Sequence, residues 1–126
     1  MGSSIAAPRK PSGFARINPM TTPYSEAAPT RAEVDALSGA TVLEFGANWC
    51  GICRGAQPVI TEVLAGQAIR HLKIEDGSGR PLGRSFGVKL WPTLVFLRDG
   101  NEAARVVRPT NARDLQDALA RIAPGS

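Results

Sequence analysis

The chain is poor in the residues that build metal centres and disulfide frameworks, with two cysteines and one histidine among 126 residues. Both cysteines, Cys50 and Cys53, lie within one four-residue stretch, which excludes long-range disulfides within the chain. A zinc site normally needs several converging ligands, so we interpret the lone His71 as an ordinary strand histidine and expect no metal. The cysteine pair is therefore reactive, metal-binding or incidental.

Long apolar runs are also missing. No run approaches the roughly 18 residues needed to cross a bilayer, so we expect no membrane association. Near the N-terminus, Ile5-Ala6-Ala7 followed by Pro8 is too short for the apolar part of a secretory signal. Together with the lack of a disulfide framework, this predicts a reducing, cytoplasmic location.

The net charge of +4 is concentrated at the start of the chain. Arg9, Lys10 and Arg16 precede the first acid, Glu26, and from Met20 onward 12 bases face 11 acids. Because the remainder of the chain is nearly neutral, we expect no nucleic-acid partner.

Residues 1–29 hold five of the ten prolines and few large apolar residues, which is typical of a segment without a core. We predict a flexible N-terminal tail over residues 1–29, in which the part before Met20 is a leader or an extended start. Order is expected from Thr30, because Thr30 and Glu33 have capping-box spacing. Residues 30–123 then form one domain.

The apolar pattern of this domain predicts an α/β fold. Continuous or alternating apolar runs predict strands near residues 41–45, 69–75, 93–97 and 103–107, and apolar residues at helical spacing predict helices after Thr30, over 53–64 and after Asn111. Asp99-Gly100 predicts a hairpin between the last two strands. The glycine-rich stretch 77–83 is expected to be a loop. A strand-helix-strand unit and a hairpin together predict a mixed sheet with helices on both faces.

The cysteine pair lies where a strand ends and a helix begins. The first turn of a helix offers unpaired amides and a favourable dipole, so Cys50 is expected to be a stabilised thiolate. Cys53, one turn further in, is expected to be more buried and to attack second. Such a pair can exchange a disulfide with a substrate through a mixed disulfide.

The segment Glu44-Phe45-Gly46-Ala47-Asn48-Trp49-Cys50-Gly51-Ile52-Cys53, followed by Pro58 and by Trp91-Pro92-Thr93, resembles the thioredoxin family. The resemblance runs from about Ala32 to Ile122 and implies the thioredoxin fold. It also implies that Pro92 is a cis proline beside the cysteines and that the Trp91 main chain pairs with an extended substrate. Trp49 would add an apolar contact surface.

Glu44 lies where the family usually has a buried aspartate that exchanges protons with the second cysteine. Burial is expected to raise the pKa of Glu44, which would suit it to act as general acid and base for Cys53. The alternative is that Glu44 is partly exposed or paired with Lys73, which matches a family lysine on the next strand.

Three residues depart from the family pattern. Ile52 replaces the usual proline between the cysteines, and the ring residues Gly51 and Ile52 influence the redox potential, where about 30 mV corresponds to roughly 1.4 kcal/mol. Gly46 replaces a common aromatic residue, so a more open surface is expected there. Trp91 is bulkier than the usual aliphatic residue and would enlarge the docking surface.

The leading functional hypothesis is a thioredoxin-like reductase of protein disulfides, with Cys50 as nucleophile and Cys53 as resolving cysteine. The resemblance implies disulfide-containing proteins as substrates, a thioredoxin-reductase-type electron donor, no cofactor bound to this chain, and a monomer. One alternative is a disulfide oxidase or isomerase. Another is a binding module that docks partners through Trp49 and Trp91, and a third is a metal centre shared by the cysteine pairs of two chains.

Overall fold

The computed structural model describes residues 22–123, in which helices and strands alternate much as the sequence predicts. The elements in chain order are α1 Arg31–Asp35, β1 Ala40–Gly46, α2 Gly51–Leu64, β2 Arg70–Glu75, α3 Pro81–Ser85, β3 Thr93–Arg98, β4 Asn101–Val107 and α4 Ala112–Ala120. The prediction of a loop over residues 77–83 is wrong for the last three of them, because α3 begins at Pro81. Proline suits a first helical turn, where its missing amide hydrogen would have no partner.

Two helix starts follow from local side chains. Thr30 accepts a hydrogen bond from the Glu33 amide, and the Glu33 carboxylate accepts one from the Thr30 amide, so the predicted capping box is present. Asn111 caps α4 by accepting a hydrogen bond from the Asp114 amide.

The four strands form one mixed sheet in the order β2-β1-β3-β4. β1 pairs parallel with β2 and antiparallel with β3, and β3 pairs antiparallel with β4. The β3–β4 hairpin turns at Asp99 and Gly100, whose φ angles of 50° and 81° fit a two-residue turn that needs positive φ. The hairpin prediction is confirmed.

Apolar side chains cover both faces of the sheet. On one face α2 and α4 pack against the strands through Val42, Ala56, Ile60, Val63, Leu64, Leu94, Phe96, Leu115, Ala118, Leu119 and Ile122. On the other face α1 and α3 pack through Val34, Leu43, Phe45, Ile74, Leu82, Phe86, Val95 and Leu97. Burial of each large side chain contributes about 1.5–3 kcal/mol. The predicted α/β architecture with helices on both faces is confirmed.

The predicted tail does not extend to residue 29. The Tyr24 ring is buried, and Ser25 bridges to Ile74 on β2. The Ser25 amide donates to the Lys73 carbonyl, and the Glu75 amide donates to the Ser25 carbonyl, both at 2.9 Å. Packing therefore begins before Thr30, while the remainder of the predicted tail, residues 1–21, lies outside the described residues. Within residues 22–123, no helix has the length and apolar character to span a bilayer.

Candidate active site

Cys50 is the N-cap residue of α2, directly after the loop that follows β1. Its amide donates to the Ala47 carbonyl at 3.1 Å, and its Sγ accepts a hydrogen bond from the Cys53 amide at 3.2 Å. Only 9% of Cys50 is exposed, and both cysteines are free thiols. Of the two sulfur-bearing residues, Cys50 is therefore the nearer to solvent.

Cys53 lies one helical turn further in and is fully buried. Burial and the hydrogen bond and charge of Cys50 raise the pKa of the Cys53 thiol to about 12, although the Ala47 backbone and the Tyr24 hydroxyl lower it. At neutral pH Cys53 thus keeps its proton. The two sulfurs have the different environments that a first and a second nucleophile require.

Glu44 is 0% exposed in the middle of β1 and receives three hydrogen bonds. The Tyr24 hydroxyl and the Gln57 amide donate to Oε2 at 2.5 and 2.8 Å, and His71 Nε2 lies 2.8 Å from Oε1. Burial raises the pKa of Glu44, but the hydrogen bond from His71, the charge of Lys73 and the other two hydrogen bonds outweigh it, so the pKa is lowered. The expectation of a raised pKa is wrong, and Glu44 is a carboxylate at neutral pH.

Lys73 reaches Glu44 through an intermediary. Its Nζ donates to Gln57 Oε1 at 2.6 Å and to the Thr22 carbonyl at 2.7 Å, while the Gln57 amide donates to Glu44. Burial lowers the pKa of Lys73 against the opposing charges of Glu44 and Cys53. Lys73 therefore does not pair directly with Glu44, as the alternative prediction had it, but is connected to it through Gln57. The side chain that contacts Glu44 Oε1 is His71.

The space above Gly46 is filled, so the expectation of a more open surface there is wrong. A Cβ atom built on Gly46 would lie 2.6 Å from Tyr24 Cζ and 2.8 Å from both Cys53 Sγ and Tyr24 Oη. Tyr24, Ala47, Cys50 and Cys53 form one buried cluster. Glycine at position 46 therefore lets a tyrosine from the N-terminal segment reach the second cysteine.

The peptide bond between Trp91 and Pro92 is cis, as the resemblance implies. Trp91 packs against the buried cluster around Cys50, and its Nε1 donates to Asp76 Oδ2 at 2.8 Å. The resemblance assigns the main chain of Trp91 to substrate pairing, and the carbonyl of that main chain accepts a hydrogen bond from Arg108 Nε at 2.9 Å. A substrate chain paired with this carbonyl would have to share or displace the contact with Arg108.

The other predicted surface residues surround Cys50. Trp49 is 73% exposed and meets Trp91 edge to face, with the ring centroids 5.6 Å apart. Ile52 is 49% exposed, and a Cβ on Gly51 would meet open space. The structure thus brings together an apolar exposed surface and the first sulfur.

Sequence reasoning missed the residues that complete the site, namely Tyr24, Gln57, Asp76 and Arg108, and it took His71 for an ordinary strand residue. Two signals were available. Gln57 follows Cys53 by one helical turn, and His71 lies two residues before Lys73, on the same face of a strand. Within residues 22–123, no group of three or more His, Cys, Asp or Glu side chains is placed to hold a metal ion.

Comparison with known proteins agrees with this geometry. Thioredoxin 2 from Pseudomonas aeruginosa, solved in its reduced form, is 57% identical and superimposes with a TM-score of 0.72 over 80% of this chain and 94% of that one. A thioredoxin from Chlamydia muridarum is 41% identical over 73 residues, covering 56% of this chain and 70% of the relative. A thioredoxin from Listeria monocytogenes is 31% identical over 89 residues, covering 69% and 86%.

The family model described as Thioredoxin matches residues 24–121, well over half of the chain. The match spans the pair Cys50 and Cys53, the sheet and Pro92, so the protein is a thiol-disulfide oxidoreductase that reduces protein disulfides. The chain belongs to the thioredoxin family.

Proposed function

We propose that Cys50 is the nucleophile and Cys53 the resolving cysteine in the reduction of protein disulfides. The observation that carries this assignment is the difference between the two sulfurs. Cys50 caps a helix and is the more exposed, whereas Cys53 is fully buried with its pKa raised to about 12. Cys50 can therefore reach a protein disulfide that Cys53 cannot.

In the proposed cycle the Cys50 thiolate attacks one sulfur of the substrate disulfide, which releases the other sulfur as a thiolate. A mixed disulfide then joins Cys50 to the substrate. Cys53 loses its proton and attacks Cys50 Sγ, which releases the second substrate thiolate and leaves the Cys50–Cys53 disulfide. Two electrons pass to the substrate, and a thioredoxin-reductase-type donor returns them to the pair.

Trp49, Trp91 and Pro92 would form the docking surface around Cys50. This role is supported by the exposed Trp49 ring, its edge-to-face contact with Trp91, and the anchoring of Trp91 by Asp76. Gly51 and Ile52 would set the geometry and the potential of the ring that the disulfide closes. The exposed apolar side chains Trp49 and Ile52 beside Cys50 suit an extended segment of a folded or partly unfolded protein.

Glu44 would serve as the acceptor of the Cys53 proton, because it is an unprotonated carboxylate inside the same network. Since the pKa of Cys53 is raised and that of Glu44 is lowered, the proton would move together with the attack of Cys53 on Cys50 and not before it. Lys73 would support this role by holding Gln57 against Glu44. We further propose that the protein works as a monomer in the cytoplasm, where a low-potential electron donor keeps the pair reduced.

Insulin reduction tests the assignment. With dithiothreitol as electron donor, the wild-type protein is expected to accelerate precipitation of the insulin B chain, and Cys50→Ser is expected to abolish the acceleration. Cys53→Ser should instead trap a mixed disulfide on Cys50, detectable by mass spectrometry. Retained turnover by Cys50→Ser would exclude the proposed nucleophile.

The alternative of an oxidase or isomerase concerns the redox potential rather than these roles. Equilibration of the pair against glutathione buffers separates the two, because an oxidase has a markedly less reducing potential. A potential near that of protein disulfide isomerase would reassign the direction of electron flow.

A further inference from the structure

The Tyr24 hydroxyl lies between the second cysteine and the buried carboxylate. It donates to Glu44 Oε2 at 2.5 Å, and Tyr24 packs with Cys53 in one buried cluster. Tyr24 Oη and Cys53 Sγ each lie 2.8 Å from the same point, the position that a Cβ on Gly46 would occupy. Tyr24 thus joins two groups whose proton exchange the resolving step requires.

The position of Tyr24 is fixed by contacts from two directions. Asn48 clamps its main chain, since Asn48 Oδ1 accepts from the Tyr24 amide at 2.8 Å and Asn48 Nδ2 donates to the Tyr24 carbonyl at 3.2 Å. The next residue, Ser25, is bridged to β2. Gln57 Nε2 lies 3.2 Å from the hydroxyl, and Lys73 Nζ lies 4.8 Å from the ring centroid. A side chain held in this way presents its hydroxyl in one place.

We propose that Tyr24 relays the proton of Cys53 to Glu44 during the resolving step, in addition to the roles proposed above for the two cysteines. The Cys53 thiol gives its proton to Tyr24 Oη while the Tyr24 hydroxyl gives its own proton to Glu44 Oε2. As these protons move, Cys53 Sγ attacks Cys50 Sγ, and the substrate sulfur leaves with the bonding electron pair. Tyr24 ends the step as a neutral phenol and Glu44 as a carboxylic acid.

Two features suit Tyr24 to passing a proton without becoming an anion itself. Burial and the charge of Glu44 raise the pKa of Tyr24, so the phenol stays protonated before and after each transfer. His71 contacts the other carboxylate oxygen, Oε1, and its side chain is partly exposed to solvent. The hydrogen-bond network therefore extends from Tyr24 through Glu44 to the protein surface. The hydroxyl is thus a fixed bridge rather than a base.

A two-phase reaction tests the relay. Reduced protein mixed with 5,5′-dithiobis(2-nitrobenzoate) releases one coloured thiolate when Cys50 attacks and a second when Cys53 resolves the mixed disulfide. Tyr24→Phe keeps the ring and removes the hydroxyl. We expect the second phase to slow by about tenfold or more and the first phase to stay within twofold. Ala28→Ser, an exposed change in the same segment, should leave both phases unchanged.

The pH profile separates a relay from a packing defect. The titratable groups that face Tyr24 are Glu44, Cys53 and Lys73, with Cys50 and His71 next to them. In Tyr24→Phe the proton must pass to solvent, so the second phase should recover as pH rises, whereas a distorted site would stay slow. Glu44→Gln should slow the same phase, and the double variant should be no slower than the slower single variant.

The outcomes are distinguishable. If wild-type protein shows both phases and Tyr24→Phe has an unchanged second phase, the relay is wrong and the roles of the cysteines stand. A second phase that is slow at every pH would also overturn the relay, since it indicates a structural role. If Cys50→Ser retains the first phase, the proposed function itself fails.

Discussion

The hydroxyl of Tyr24 and the carboxylate of Glu44 meet at 2.5 Å in the core, although 20 residues separate them in the chain. This contact joins a proline-rich segment to the central strand β1. Because Glu44 is a carboxylate with three donors, the segment that supplies one of them contributes to stability as well as to the site.

The contact predicts that a chain beginning at Thr30 is much less stable than one beginning at Thr22. The shorter chain loses the buried Tyr24 ring and the bridge from Ser25 to β2, and loss of a buried aromatic side chain typically costs about 3–5 kcal/mol. Urea unfolding followed by circular dichroism measures the difference. Equal midpoints for the two chains would show that residues 22–29 do not support the domain.

The close packing of Tyr24 and Cys53 against Gly46 predicts that a larger residue at position 46 destabilises the protein. Gly46→Ala places a methyl group less than 3 Å from Tyr24 Cζ and Cys53 Sγ, and such overpacking typically costs about 1–3 kcal/mol. Gly55→Ala is the matched control, because a Cβ there meets open space on α2, and alanine favours a helix over glycine by about 1 kcal/mol. Thermal unfolding should therefore place the two variants on opposite sides of the wild type. A Gly46→Ala protein as stable as wild type would contradict the packing of Tyr24 against Gly46.

Local sequence patterns predicted the parts of the fold that depend on neighbouring residues. The capping box at Thr30, the turn at Asp99-Gly100 and the position of Cys50 at a helix start all follow from residues close in the chain. Periodicity predicted the strands, because strands buried on both faces appear as continuous apolar runs, and the strand-helix-strand unit together with the hairpin predicted the mixed sheet.

The buried network could not be predicted in the same way, because its members come from four separate segments. Glu44 has hydrogen-bond partners 20, 13 and 27 residues away. Together with the charge of Lys73, these hydrogen bonds lower the pKa of Glu44, although burial alone would raise it. Tyr24 was assigned to a tail because its neighbours are proline-rich. A glycine at position 46, where the family commonly has an aromatic residue, was a further available sign, because the Tyr24 ring fills that space.

The hydrogen bond from Trp91 to Asp76 predicts a role in docking. Asp76→Ala frees the indole, so Trp91 no longer holds one orientation beside Cys50, and we expect the KM for insulin to rise several-fold with little change in kcat. Asp76→Asn keeps an oxygen acceptor for the indole and should restore most of the wild-type KM. A fall in kcat alone, with KM unchanged, would assign Asp76 to the chemical steps instead of docking.

The lowered pKa of Glu44 predicts how stability depends on pH. A carboxyl group whose folded pKa lies below its unfolded value of 4.5 contributes stability that is present above pH 4.5 and is lost as pH falls through the folded pKa. Glu44→Gln removes this contribution, because an amide cannot accept all three hydrogen bonds as a carboxylate does. At pH 7 we expect the variant to be less stable by about 1–3 kcal/mol.

Urea unfolding between pH 7 and pH 3 should show this difference in stability shrinking below pH 4.5. The exposed control Glu62→Gln should stay within about 0.5 kcal/mol of wild type at pH 7. A difference between wild type and Glu44→Gln that grows toward acid would mean that the folded pKa of Glu44 is raised and would contradict the lowered pKa.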